Sequence, residues 1–239
     1  MNMEIIISCM DRRLHGKLDA FNDGETFFLR NAGANVFGLK ETLRQLVNSN
    51  NISAIKVMPH TDCGAMKLVS SVIKDGAKVD AEIDKMLVEQ FKHMKFSSRD
   101  ELERANLEIQ LKHLKDMFPG INVAGDLIDI KDIEDKAKGH SHVLYIAKPS
   151  TKPYSEIIEE NPFNTYVVQA LSREELYPDI KIAVMLGQEK VFMPVLSREE
   201  ERMVKMDFSV LGMRPDILPE ELRESIEIIK RYSLPTKIK

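Results

Sequence analysis

Cys9 and Cys63 are the only cysteines in a chain of 239 residues, and each lies in a short polar stretch that follows an apolar run. The stretches are Ser8-Cys9-Met10-Asp11-Arg12-Arg13 and Pro59-His60-Thr61-Asp62-Cys63-Gly64. Zinc favours thiolate and imidazole ligands, and a catalytic zinc site keeps three protein ligands with a fourth position open to water. Cys9, His60 and Cys63 meet that count for one Zn²⁺ ion. Two thiolates cancel the charge of the ion and weaken it as a Lewis acid, so a further group must keep a bound water deprotonated and oriented. Asp11 and Arg13 suit that task, two and four residues after Cys9. A carboxylate beside the metal accepts the hydrogen bond that aims a lone pair at the substrate. The same carboxylate can also ligate the ion and close the site, unless a bidentate pair with Arg13 holds it away. One ion pair is then a switch, with activity low at acidic to neutral pH and rising as hydroxide displaces the carboxylate.

Other chemistries fit these residues less well. A lone cysteine is more often a small buried hydrophobe than a ligand. A closed structural zinc site wants a fourth Cys or His, and the nearest, His15, reads as a solvated loop residue. A phosphatase-like thiolate loop needs Arg six positions after Cys9, where His15 stands. Gly33 to Gly38 has P-loop glycine spacing, but Leu39 occupies the position of the phosphate-binding Lys. Gly139-His140-Ser141-His142 reads as an exposed polar loop, Asp62 as a turn or cap residue, and His93 and His113 as members of charged helices.

The elements that must position these residues alternate. Glu4 to Ser8 and Ile52 to Met58 read as buried parallel strands ending at the two motifs. Thr26 to Arg30 is a third strand, closed by the small-residue loop Asn31 to Asn35, which lets backbone approach a ligand. Ligands of open parallel sheets bind beyond the carboxyl ends of the strands, so the motifs converge there. Leu39, Leu43, Leu46 and Val47 mark a crossover helix, and Met66, Val69, Val72 and Ile73 mark another. Residues 80–118 read as helical in two pieces, with Ser98 and Glu101 forming a capping-box signature. Val123 to Ile130 returns to the sheet. Residues 1–139 therefore form one zinc-binding α/β domain, and 140–239 an α+β extension of unknown role. Strands are expected there at His142 to Ala147, Thr165 to Ala170, Lys181 to Leu186 and Val191 to Leu196. Helices are expected at Arg198 to Leu211 and Pro219 to Tyr232, after a Pro-punctuated linker from Pro149 to Pro162.

Composition narrows the partners. The charged fraction of 30%, the hydrophobic fraction of 43% and a net charge of −4 are those of an ordinary globular protein. Charges of both signs are interspersed, so nothing points to nucleic acid or an anionic membrane, and no apolar run reaches the roughly 20 residues that span a bilayer. Met1-Asn2-Met3-Glu4 lacks a basic signal-peptide start. Reduced cysteines in ligand-like motifs place the protein in the cytoplasm.

Three segments in order, Cys9-Met10-Asp11-Arg12-Arg13, Leu29-Arg30-Asn31-Ala32-Gly33-Ala34-Asn35-Val36 and His60-Thr61-Asp62-Cys63-Gly64-Ala65-Met66, resemble the β-class carbonic anhydrases, and the compact archaeal branch most. The resemblance covers about the first 130 residues. It implies a parallel sheet of four strands with a further strand added, flanked by helices, and a homodimer or higher homo-oligomer. It also implies reversible hydration of carbon dioxide to bicarbonate by zinc-bound hydroxide. Position by position, Cys9, His60 and Cys63 are then the zinc ligands and Asp11 with Arg13 the catalytic dyad. Gly64 lends backbone near the substrate, and Asn31 and Gly33 lie in the loop that shapes the pocket. Arg12 stands where the family has a small Ser, and Pro59 where it has Gly, so Arg12 is expected to compete for Asp11 or point to solvent and Pro59 to tilt His60. The alternatives are hydrolysis of COS or CS₂ on the same scaffold, and a zinc-stabilised binding protein without activity, for which the dyad would be superfluous.

Overall fold

A computed structural model describes residues 2–138, 142–158, 162–186 and 190–195. The isoleucine-rich strand β1 (Met3–Cys9) lies inside a four-stranded parallel sheet with β2 (Thr26–Asn31), β3 (Ile52–Met58) and β4 (Asn122–Gly125), in the order β2-β1-β3-β4. Both faces of β1 are covered, as all-parallel sheets require. Ile5 and Ile7 pack with Leu39, Leu43, Val57 and Leu114, whereas Ile6 packs on the opposite face with Phe28, Met58, Met66 and Val69.

The helices form where the apolar spacing places them. Helix α1 (His15–Asp19) is short, α2 (Lys40–Ser49) crosses from β2 to β3, and α3 (Gly64–Asp75) starts immediately after Cys63. The next stretch begins as α4 (Ala81–Ile83) and continues to Phe91 in wide and tight turns. Helix α5 (Arg99–Met117) then begins at Ser98, whose hydroxyl accepts from the Glu101 amide at 3.2 Å. The Glu101 carboxylate accepts from the Ser97 amide and hydroxyl, and the Ser98 amide also favours its charge.

The return strand is shorter than Val123 to Ile130. Regular pairing ends at Gly125, and the chain then runs beside the second motif, with Ile128 N donating to Pro59 O and Thr61 N to Ile128 O, both at 2.9 Å. Pro59 comes directly after the last residue of β3 and contributes its carbonyl rather than the amide it lacks.

In the extension, strands and helices alternate about a second parallel sheet. Its elements are β5 (His142–Ala147), α6 (Tyr154–Ile157), β6 (Thr165–Gln169), α7 (Arg173–Leu186) and β7 (Lys190–Val195), with strand order β6-β5-β7. Lys181 to Leu186 is the last part of α7 and not a strand. The five-residue apolar run from Ile182 to Leu186 suits either state, and the helix continues through Pro178. Gly139 to Ser141 and the helices expected at Arg198 to Leu211 and Pro219 to Tyr232 lie outside the described residues. Among those described, no helix is long and apolar enough to cross a membrane.

Candidate metal centre

The carboxyl ends of β1 and β3 carry both motifs, and the Ser8 hydroxyl ties them by donating to Met58 O at 2.9 Å. Cys9, His60 and Cys63 are all buried, and their ligating atoms lie within 4.8 Å of one another. The two sulfurs are 3.9 Å apart. Two thiolates on one tetrahedral zinc, at about 2.3 Å each, stand about 3.8 Å apart. His60 donates from Nδ1 to Thr61 O at 2.7 Å, which leaves Nε2 buried and without a hydrogen-bond partner. A buried, orphaned imidazole nitrogen facing two sulfurs is the donor set of a zinc site, so the residues fit the ion.

Electrostatics divide the two thiols, favouring the thiolate at Cys9 and disfavouring it at Cys63. Sharing a hydrogen bond with Cys63 pulls the Cys9 thiol well below its usual range and pushes Cys63 up. Cys63 stands at the N-cap position of α3, where the nearby Ala65 and Met66 amides offset part of that rise. Burial disfavours a charged His60, but the Cys9 thiolate and Asp11 outweigh it and raise the ring to about 9.

Asp11 and Arg13 form a bidentate pair. Arg13 Nε donates to Oδ1 at 2.9 Å, Nη2 to Oδ2 at 2.6 Å, and the Arg13 amide adds a third bond to Oδ1 at 2.9 Å. Burial raises the carboxyl's pKa, yet the Arg13 bonds hold it far below the usual carboxylate range. Asp11 Oδ2 lies 3.9 Å from His60 Nε2. Arg13 is itself braced by Asp62 at 3.3 Å, which also pairs with Arg99 at 3.1 Å. Asp62 has a positive φ of 53°, an orientation those two cations exploit.

The loop after β2 packs its backbone against the ligands. Asn31 and Asn35 exchange side-chain and backbone bonds of 2.8 and 2.9 Å that lace the loop. Gly33, at φ 75°, donates its amide to Cys9 Sγ at 3.4 Å, and a Cβ there would meet Met66 and Ala65. Gly64 faces Leu186 of α7, only 3.0 Å from where a Cβ would stand. Arg12 neither competes for Asp11 nor points to solvent. It makes a bidentate pair with Asp135 at 2.5 and 2.7 Å and donates to Phe163 O at 3.0 Å.

His15 is a correction: it is buried, not solvated. Its Nδ1 accepts from Arg30 at 3.1 Å and its Nε2 donates to Thr165 O at 2.6 Å. Burial and the Arg30 charge depress its pKa to about 3. Sequence reasoning gave no role to Arg30, Glu103 or Asp179. Arg30 is fully buried and donates to the carbonyls of Cys9 and Asp11 at 2.5 and 2.7 Å, fixing the first motif's backbone. Glu103, on the polar side of α5 by pattern, accepts the Cys63 amide at 2.9 Å. Asp179 comes from the extension, where no motif flagged it.

Residues 4–132, more than half of the chain, match a family model described as carbonic anhydrase. No curated protein sequence matches the chain. Several solved structures are similar. One is a carbonic anhydrase from Glaciozyma antarctica, with 22% identity, covering 55% of this chain and 78% of that one at a TM-score of 0.34. Another comes from the filamentous ascomycete Sordaria macrospora, described as two tetrameric β-carbonic anhydrases, with 17% identity over 54% and 76% and a TM-score of 0.42. A third is the β-carbonic anhydrase CafA of Aspergillus fumigatus, with 16% identity over 58% and 77% and a TM-score of 0.38.

Proposed function

The chain belongs to the carbonic anhydrase family, and we propose that it catalyses the reversible hydration of carbon dioxide to bicarbonate with a zinc ion held by Cys9, His60 and Cys63. The observation that carries this reading is the dyad. Asp11 is clamped on both oxygens by Arg13 while one oxygen stays 3.9 Å from the His60 nitrogen that would face the ion. When bound, zinc supplies a Lewis acid that lowers the pKa of a coordinated water toward about 7.

Asp11, kept ionised by Arg13, is an acceptor at Oδ2 for the hydrogen of a reacting water, and so orients the lone pair toward carbon dioxide. Arg13 also keeps the carboxylate from becoming a fourth ligand, because leaving would break three hydrogen bonds. Gly33 and Gly64, beside the sulfurs, bring backbone rather than side chain to the pocket. The proton leaves through solvent or buffer. Two reduced cysteines at the heart of the site suit the cytoplasm, and a homodimer or larger homo-oligomer completes the reading.

Asp11→Asn tests the dyad. Zinc content should match that of the unaltered chain, while stopped-flow carbon dioxide hydration falls by about 100-fold or more, at the upper end for a metal's outer partners. Unchanged hydration would remove Asp11 from the mechanism. Rapid sulfide release from CS₂ without carbon dioxide hydration would reassign the substrate.

A further inference from the structure

The extension reaches the loop beside the metal centre through helix α7. Along α7, Glu175 accepts from the Glu41 and Thr42 amides and the Thr42 hydroxyl, at the start of α2. Lys181 pairs with Asp80 and Glu82 beside α4. Leu186 lies against Gly64. Between these anchors, Asp179 is fully buried, and its Oδ1 accepts the Ala32 amide at 2.9 Å. Its Oδ2 is buried without a hydrogen-bond partner.

The loop it holds is the one that touches the metal ligand. Ala32 is followed by Gly33, whose amide donates to Cys9 Sγ at 3.4 Å. Gly33 and Ala34 are both left-handed, at φ 75° and 56°. For alanine that conformation costs roughly 1 kcal/mol, so the loop depends on anchors. Asn106 supplies one by donating to Gly33 O at 2.8 Å, and Asp179 supplies the other.

We propose that Asp179 is a positioning residue of the metal centre, supplied by the extension, which holds the Ala32–Ala34 loop so that the Gly33 amide remains bonded to the Cys9 sulfur. An N–H···S bond withdraws electron density from a thiolate. In a site whose two sulfurs already neutralise the ion, that withdrawal restores part of its Lewis acidity. Burial also pushes the Asp179 carboxyl well above the usual carboxylate range, which weakens the charge it would bring toward the sulfurs. The extension is thus part of the site rather than an appendage.

This inference rests on the zinc reading, and its test uses the full chain loaded with cobalt(II). Without the Gly33 bond, Cys9 is the stronger electron donor, so Asp179→Leu should move the thiolate-to-cobalt charge-transfer band to longer wavelength. Zinc affinity should fall about 10- to 100-fold. Asp179→Asn keeps a carbonyl acceptor for the Ala32 amide, so it should restore both the band and the affinity. An unshifted band in Asp179→Leu, or an equal shift in Asp179→Asn, would overturn the proposal. Should Asp179→Leu not fold, amide exchange in the unaltered chain decides: Ala32 and Gly33 must be protected, and rapid exchange refutes the role. The spectrum is independent of turnover. A chain that gives these shifts but hydrates no carbon dioxide refutes the proposed function alone, whereas one with no cobalt–thiolate band refutes the metal centre itself.

Discussion

Arg12 in the first motif and His15 just after it show how single residues there are used outside the site. Arg12 turns away from Asp11 to grip Asp135 and the Phe163 carbonyl, so the family's small Ser position has become an attachment point for the chain beyond β4. Its hydrogen bonds, helped by its charge, in turn depress the Asp135 carboxyl to about 2. His15 is held neutral between Arg30 and Thr165. Its folded pKa of about 3 lies below the unfolded 6.5, so the unfolded chain takes up the proton first. Stability is therefore complete above pH 6.5 and declines as pH falls from there toward 3. Between pH 8 and pH 5 this one group should remove about 2 kcal/mol, a window in which Asp11 does not yet titrate. Urea unfolding of the unaltered chain and of His15→Gln at the two pH values measures it. The unaltered chain should lose about 2 kcal/mol more than the variant, and equal losses would show that His15 is not held neutral.

At the scale of elements, the strands and the crossover helices were legible because each is a run of one apolar period that gives way to a polar or small-residue stretch or to Pro. Cys9, His60 and Cys63 were legible as a cluster because strand ends of a parallel sheet converge. Helix α7 was not. Its Lys181–Leu186 run fits strand or helix, and what decides is contact with α2, α4 and the Ala32 loop, residues about 100 to 150 positions away. The same distance hid the burial of His15, whose cover is Thr165 and the Tyr154 ring 5.0 Å away. The α7 contact with α2 has a measurable worth, because α2 has no capping side chain of its own and Glu175 supplies the missing anion. Glu175→Leu leaves the Glu41 and Thr42 amides and the hydrogen of the Thr42 hydroxyl without their acceptor at a helix N-terminus and should cost about 2 kcal/mol. Glu175→Gln keeps an acceptor and should cost about half of that. A urea midpoint unchanged in both variants would mean that α7 does not cap α2.

At the scale of the molecule, the two sheets interlock. Val167 of β6 donates to Met10 O at 3.1 Å, between Cys9 and Asp11, and Phe28 of β2 donates to Ser150 O at 3.0 Å. Dividing the chain at 139/140 therefore separates two sheets but not, we propose, two independently folding units. The sequence offers clean probes, since all five tyrosines lie beyond residue 140 and both cysteines before it. Tyrosine fluorescence and thiol accessibility should report one coincident unfolding transition, whereas separated midpoints would mean independent domains. The most direct measurement is stopped-flow carbon dioxide hydration while zinc is titrated into the metal-free full chain. Activity should rise in proportion to bound zinc and stop rising at one ion per chain. Stoichiometric zinc on Cys9, His60 and Cys63 without hydration of carbon dioxide would contradict the assignment.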